Sequence, residues 1–343
     1  MEPLQVGLIG LAALIALIVI RMPIAYAMIL VGLTGIVVLD GPLIVMSQLK
    51  DLAYGQFSNY DLSVLPMFLL MGFVASATGL SRDLFRAANA WVGWMRGGVA
   101  MAAMAACAGF GAVCGSSLAT ASAMGQIALP ELRRLKYSPA LATGALAAGG
   151  TLGILIPPSI VLVVYAIIVE ANIATLFMAA FFPGLLATLL FMVTVGLYVA
   201  VRPEAGPKGE RVSRRELREA TVVVLPVIVI FLLVIGGIYA GVFNPTPAAA
   251  IGVFLVAVYG LLRRKLSWRG AVEALIETAK TTGMIYLILF GAALLNIFMA
   301  RGGVPQAAAE AAVTSGFEPI VILVFLIAAL ILLGCLMDSL SII

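Results

Sequence analysis

From Val6 to Cys335 this chain runs from one apolar stretch into the next, with only short polar joints between them. The stretches fall at roughly 6–20, 24–39, 64–78, 97–112, 140–170, 176–201, 221–239, 248–262, 284–300 and 320–335. About 20 apolar residues are needed to cross the hydrocarbon of a bilayer. With 63% hydrophobic and 10% charged residues, the chain falls far below the roughly 25% charged residues of a soluble domain. No core of this size hides so much apolar surface from water, so the solvent is lipid. The predicted fold class is an all-α polytopic membrane protein. The segment 140–170 is too long for one straight crossing, about 46 Å at 1.5 Å per residue. It also contains Gly149, Gly150, Gly153 and the pair Pro157-Pro158, which break helices. A break at membrane depth survives only beside packed protein or a cavity.

The net charge of +4 comes from the joints between apolar stretches and implies no nucleic acid. With the N-terminus outside, the basic residues gather on the inner side. They are Arg21, the Arg82–Arg96 group, Arg133–Lys136 and the loops from Arg202 to Arg218 and Arg263 to Lys280. Only Lys50 and Arg301 fall outside. This threading requires residues 97–130 to enter and leave from one side as a re-entrant hairpin with Gly115-Ser116-Ser117 at its tip. The alternative, an ordinary span followed by a loop, inverts every later loop. The start, Met1 to Gln5, has no basic residue, so the first span reads as a retained helix rather than a cleaved signal. Trp91 and Trp94 share segment 81–96 with Arg82, Arg86 and Arg96, a mixture that suits a helix lying in the inner interface.

The two halves repeat weakly. Gly79–Ser116 can be laid on Gly302–Ser339 without gaps, and both copies end in a glycine-serine tip. Arginines mark the start of the first copy. The second has Glu310 and Glu318 with only Arg301. Opposite charge bias on matching segments is the mark of an inverted repeat, the architecture of secondary transporters with a site near the midplane.

Histidine is absent, which removes Ser-His triads, imidazole metal sites and histidine proton relays. Cys107, Cys114 and Cys335 lie far apart in apolar stretches and read as small core residues. At the first tip, Gly115, Ser116, Ser117 and Thr120 combine exposed carbonyls with neutral hydroxyls, which suits a hard monovalent cation. The same residues equally suit close helix packing in lipid. In the second cluster, Gly150, Thr151, Pro158 and Ser159 surround a break that frees carbonyls on one side and N–H groups on the other. Free N–H groups at a helix start favour a carboxylate, while a simple kink is the alternative. Asp338 is the one acidic residue within a predicted hairpin tip. A carboxylate there is a functional candidate, or it shapes the tip by bonding nearby backbone.

These motifs resemble the large permease subunit of tripartite ATP-independent periplasmic (TRAP) transporters. The resemblance rests on Pro66–Gly72, Gly79-Leu-Ser81, Gly115–Ala121, Pro130–Arg134 with Tyr137, Ala147–Ile160, Leu176-Phe177, Pro183-Gly184, Asn244-Pro-Thr and Gly334–Ser339. It covers essentially the whole chain. Pro247 departs from it, standing where the family usually has glutamate. The resemblance implies an inverted-repeat elevator-type transporter with re-entrant hairpins and broken helices. It implies sodium as coupling ion, with no other cofactor, and a carboxylate-bearing substrate such as a C4-dicarboxylate. The implied partners are a periplasmic substrate-binding protein and a small four-helix membrane subunit, in a bacterial or archaeal inner membrane. By resemblance, Ser116, Ser117, Gly150 and Thr151 form one sodium site, and Asp338 and Ser339 contribute to its counterpart. Gly115, Thr120, Pro158 and Ser159 sit near substrate. The expected division is 1–78 scaffold, 79–175 first hairpin and broken helix, 176–300 scaffold with cytoplasmic loops 202–220 and 263–283, and 301–343 the start of a second hairpin. Matched to the first half, that second hairpin calls for a return arm beyond Ile343. The chain by itself is therefore expected not to transport.

Two other classes compete with a carrier. An intramembrane protease needs a base for its serine or a pair of aspartates, and the apolar segments supply neither. An ion channel or a structural membrane subunit is the remaining alternative, and the inverted halves and broken segment favour a carrier.

Overall fold

The computed structural model describes residues 2–209 and 212–336. The helices run α1 (Pro3–Val19), α2 (Ile24–Asp40), α3 (Pro42–Phe57), α4 (Val64–Ala77), α5 (Leu80–Val92), α6 (Gly98–Cys114), α7 (Ser117–Arg134) and α8 (Pro139–Leu155). They continue with α9 (Ile160–Ile168), α10 (Ile173–Val201), α11 (Arg214–Tyr239), α12 (Pro245–Leu262), α13 (Trp268–Arg301), α14 (Val304–Thr314) and α15 (Pro319–Leu336). Among the described residues the only extended pairing is an isolated bridge between Arg96 and Lys208. Segments Tyr60–Ala77, α10, α11, α12 and α13 are each long and apolar enough to cross a membrane. α8 and α9 pass the same test only as a pair, bent by 44° at the break between them, which suits a broken span or a re-entrant loop. The protein is an all-α polytopic membrane protein.

The chain divides into two compact units, residues up to Tyr60 with those from Lys280 onward, and Asp61–Ala279. The division falls inside α13. In the first unit, α1 and α2 pack on each other. Its core holds Leu14, Met28, Val31, Ile36, Leu294 and Phe298. Phe57 stacks on Phe290 with ring centroids 5.9 Å apart, and Arg301 pairs with Asp40.

In the second unit α6 is the central helix, packed against α4, α5, α7, α8 and α10. Nearly every residue from Gly98 to Cys114 is buried. Its sequence is mostly Ala and Gly, because small residues let helix backbones approach where lipid supplies no hydrophobic drive. At the closest point, a Cβ on Gly111 would stand 2.5 Å from Gly153 Cα of α8. α5 is strongly amphipathic, as read from the sequence. It buries Phe85, Ala87 and Ala90 and leaves Trp91 and Trp94 exposed. α6 and α7 are joined only by Gly115 and Ser116 and pack on each other, forming a helical hairpin.

Three expectations need correction. The joint between the second and third stretches holds α3, which starts after Gly41 with Pro42 in its first turn, a favoured place for proline. The loop 202–220 ends earlier, because Ser213 and Glu216 form a reciprocal capping box that starts α11 at Arg214. The loop 263–283 shrinks to the residues before Trp268. There the Ser267 hydroxyl accepts from Gly270 N and α13 begins. In the latter two cases hydropathy marks only the apolar length of a helix, while the helix itself begins earlier, on charged turns. The halves do share an element order. Gly79, α5, Gly97 and α6 match Gly303, α14, Gly316 and α15, with all four glycines at positive φ near 70°. The gapless register does not hold, because the second copy has the shorter interval between its two glycines.

Candidate functional site

The hairpin tip and the helix break meet. Gly115 ends α6 in the left-handed region at φ 66°, which an L side chain rarely adopts. Its carbonyl accepts from Ile160 N at 3.2 Å, the first residue of α9. A Cβ at Gly115 would lie 2.7 Å from the Pro158 carbonyl oxygen, so both features demand glycine. Ser116 is extended and its hydroxyl caps α7 by accepting from Ala119 N. Ser159 is likewise extended, fully buried, and caps α9 by accepting from Leu162 N. It also donates to Ile154 O at 2.6 Å, a carbonyl set loose by the break. The peptide between Pro157 and Pro158 is cis.

Four helix ends therefore converge. α6 and α8 end here and present carbonyls. α7 and α9 begin here and present N–H groups. Helix ends carry roughly half a charge each, negative at the C-terminus and positive at the N-terminus. The junction thus offers neighbouring places for a cation and for an anion.

One side chain stands out at the junction. Helical threonines commonly return their hydroxyl to a carbonyl one turn back, as Thr143, Thr188, Thr194, Thr221 and Thr278 do, although Thr282 of α13 and Asn89 of α5 also keep a buried side-chain oxygen without a partner. Thr120 is fully buried, and its Oγ1 has no hydrogen-bond partner among the described residues. A Cβ on Gly153 would be 2.6 Å from Thr120 Oγ1 and 2.9 Å from Ser116 O, so both oxygens border the space that glycine leaves open. A buried hydroxyl without a partner costs about 1–3 kcal/mol. α7 also crosses Gly150, where a Cβ would meet Ala121 at 2.7 Å and Ser117 O at 3.4 Å.

Of the residues singled out in the sequence, the structure brings together Gly115, Ser116, Ser117, Thr120, Gly150, Pro158 and Ser159. Thr151 stands apart. It is exposed and its hydroxyl donates to Ala148 O. Asp338 and Ser339 lie outside the described residues. Among the described residues no group of three His, Cys, Asp or Glu is placed to hold a metal; the two oxygens beside Gly153 are a hydroxyl and a backbone carbonyl, both neutral.

The sequence reading missed a polar cluster at the start of α5. Asp83 is largely buried and accepts from Tyr259 OH at 3.0 Å and Lys265 Nζ at 2.7 Å. It also missed how the segment after α10 ties down the α6 and α7 ends. Gly97 N and Ser138 N donate to Gly206 O and Ala205 O. Tyr137 OH donates to Pro207 O and accepts from Val99 N. Burial pushes that phenol above its ordinary pKa.

A model of the DctM component of tripartite ATP-independent periplasmic transporters matches residues 11–343. The chain belongs to this family. The C4-dicarboxylate TRAP transporter large permease protein of Pseudomonas aeruginosa is 37% identical over 286 residues, 83% of this chain and 66% of that protein. The sialic acid TRAP transporter large permease protein of Vibrio cholerae is 31% identical over 325 residues, 93% of this chain and 74% of its own length. The isethionate TRAP transporter permease protein of Oleidesulfovibrio alaskensis is 31% identical over 344 residues, 99% of this chain and 53% of its own length. These relatives of the TRAP-family chain are transporter permeases, not enzymes.

Proposed function

We propose that this TRAP-family chain is the large membrane subunit of a sodium-coupled secondary transporter that imports an organic anion. The observation that carries the reading is the unpartnered Thr120 hydroxyl beside the Ser116 carbonyl, at a junction of helix ends. Sodium accepts such neutral oxygens, and the carbonyl ends of α6 and α8 favour its charge. Thr120 therefore belongs with the cation rather than with the substrate. Thr151 contributes through the backbone of α8, since its hydroxyl is engaged elsewhere. The substrate's acidic group lies at the start of α7, where the first-turn N–H groups of Ser117 and Leu118 have no helical acceptor, as at any helix start. Gly115 and Pro158 shape that place through backbone contact, and Ser159 holds it by capping α9.

C4-dicarboxylate, sialic acid and isethionate, named for the relatives, share an anionic group and little else. A carboxylate is the reading kept for this chain, and a periplasmic binding protein supplies the selectivity. A small four-helix membrane subunit braces the scaffold helices. The location is the inner membrane with the N-terminus outside, where the distribution of basic residues puts it. The transport motion is elevator-like, carrying the α6–α9 region past the scaffold. Asp338 and Ser339 belong to the counterpart sodium site. The test is uptake in proteoliposomes holding this sequence within a permease of its relatives' full length, together with the small subunit and binding protein. Saturable uptake of a labelled dicarboxylate that requires an inward sodium gradient is expected. Non-saturating flux that is indifferent to sodium would favour a channel instead.

A further inference from the structure

A cavity with a charged rim and an apolar floor lies away from the helix junction, between α5 and the start of α11. Its volume is about 640 Å3, and Arg86, Arg215, Arg218, Glu219, Val222 and Val223 line it. Arg215 pairs with Glu219 at 3.0 Å. Arg86 and Arg218 are exposed and form no ion pair among the described residues, although the Glu216 carboxylate in the first turn of α11 lies near enough to Arg86 to interact with its charge. The cavity therefore carries a surplus of positive charge. It opens onto apolar surface. Along α11 the exposed residues below it are Val222, Leu225, Val229 and Leu232, spaced so that they form one stripe along the helix. At the junction of the two zones Trp91 of α5 donates its indole N–H to Thr221, and tryptophan marks the headgroup level of a bilayer. A basic pocket, an aromatic at the interface and an outward apolar stripe follow one another along one helix.

We propose that this cavity is a binding site for an anionic phospholipid. Its phosphodiester would lie between Arg86 and Arg218, and its acyl chains along Val222, Leu225 and Val229. Arginine matches phosphate oxygens with paired N–H donors, and basic pockets beside membrane helices select anionic headgroups. Glu219 sits in the same cavity and opposes the lipid's charge, so it limits affinity. The shared chemistry is a phosphate group, and a free phosphate ester is the competing source. The site is independent of which membrane face α5 lies on, and of the sodium reading.

The test is native mass spectrometry of the purified chain in detergent, titrated with phosphatidylglycerol or phosphatidylcholine. Phosphatidylglycerol binds preferentially. Arg86→Ala with Arg218→Ala weakens its binding roughly tenfold or more, while Arg133→Ala with Arg269→Ala, which removes the same charge elsewhere, leaves it within about twofold. Glu219→Gln strengthens binding several-fold, a gain that a misfolded variant cannot mimic. Glycerol 3-phosphate at millimolar concentration does not displace the lipid. Equal binding of the two lipids, equal loss in the control pair, unchanged binding in Glu219→Gln, or displacement by glycerol 3-phosphate would each overturn the proposal.

Discussion

Ser159 illustrates how a single side chain acquires its role. In the sequence it stands beside two prolines and reads as a group near substrate. In the fold its hydroxyl is fully used, donating to Ile154 O and accepting from Leu162 N. Ser159→Ala leaves a carbonyl and an N–H without partners in a buried place. Loss of such a cap costs about 1–2 kcal/mol. Thermal unfolding in detergent should show that loss at any sodium concentration, because the residue supports the junction rather than binding the ion. The type of residue needed at the tip and the break was legible, since glycine, serine and proline punctuate helices by local chemistry. Which hydroxyl is saturated and which is spare was not. Thr120 and Thr151 look alike in sequence, and only the crossing of α7 over α8 buries one and exposes the other.

Among the helices, α5 shows what periodicity can and cannot reveal. Its amphipathic face, the hairpin that follows and the broken span were all readable, because 3.6-residue spacing and helix breakers are local signals. Its anchor was not. Asp83 joins Tyr259 and Lys265 across most of the second unit's sequence, and no local pattern links them. Removing one partner of a buried pair costs about 3–5 kcal/mol. Lys265 keeps 35% of its side chain exposed, so the expected cost of Lys265→Met is reduced to about 1–3 kcal/mol. Lys265→Met with Asp83→Asn should cost less than the sum of the single changes. A double-mutant cycle by denaturant or thermal unfolding checks this. Strict additivity would mean that the pair does not hold α5. Helix ends in water were also poorly legible. α3 and the first turns of α11 and α13 are polar enough to read as loops, yet Pro42, the Ser213–Glu216 box and Ser267 start them.

Across the chain, the basic residues predict orientation while the fold supplies the helices that carry them. Ser213 and Ser267 are exposed at the starts of α11 and α13, and Asn59 is exposed at the end of α3. Single cysteines at Ser213 and Ser267 in a cysteine-free background should resist an impermeant thiol reagent applied to intact cells, while one at Asn59 should label. Labelling of Ser213→Cys from outside would reverse the assigned orientation. The junction of hairpin tip and broken span gives that orientation its purpose, and sodium stabilisation of the purified chain tests it most directly. An ion that binds only the folded state raises stability by RT ln(1 + [Na+]/Kd), about 1.4 kcal/mol at tenfold above Kd. Thermal unfolding of the wild-type chain should shift upward as NaCl replaces KCl at constant ionic strength. Thr120→Val, which keeps the shape and removes the spare hydroxyl, should lose most of that shift while being at least as stable as wild type in KCl, because it removes an unpaired buried hydroxyl. Equal stabilisation by the two salts, or a full sodium shift in Thr120→Val, would contradict a sodium site at this junction.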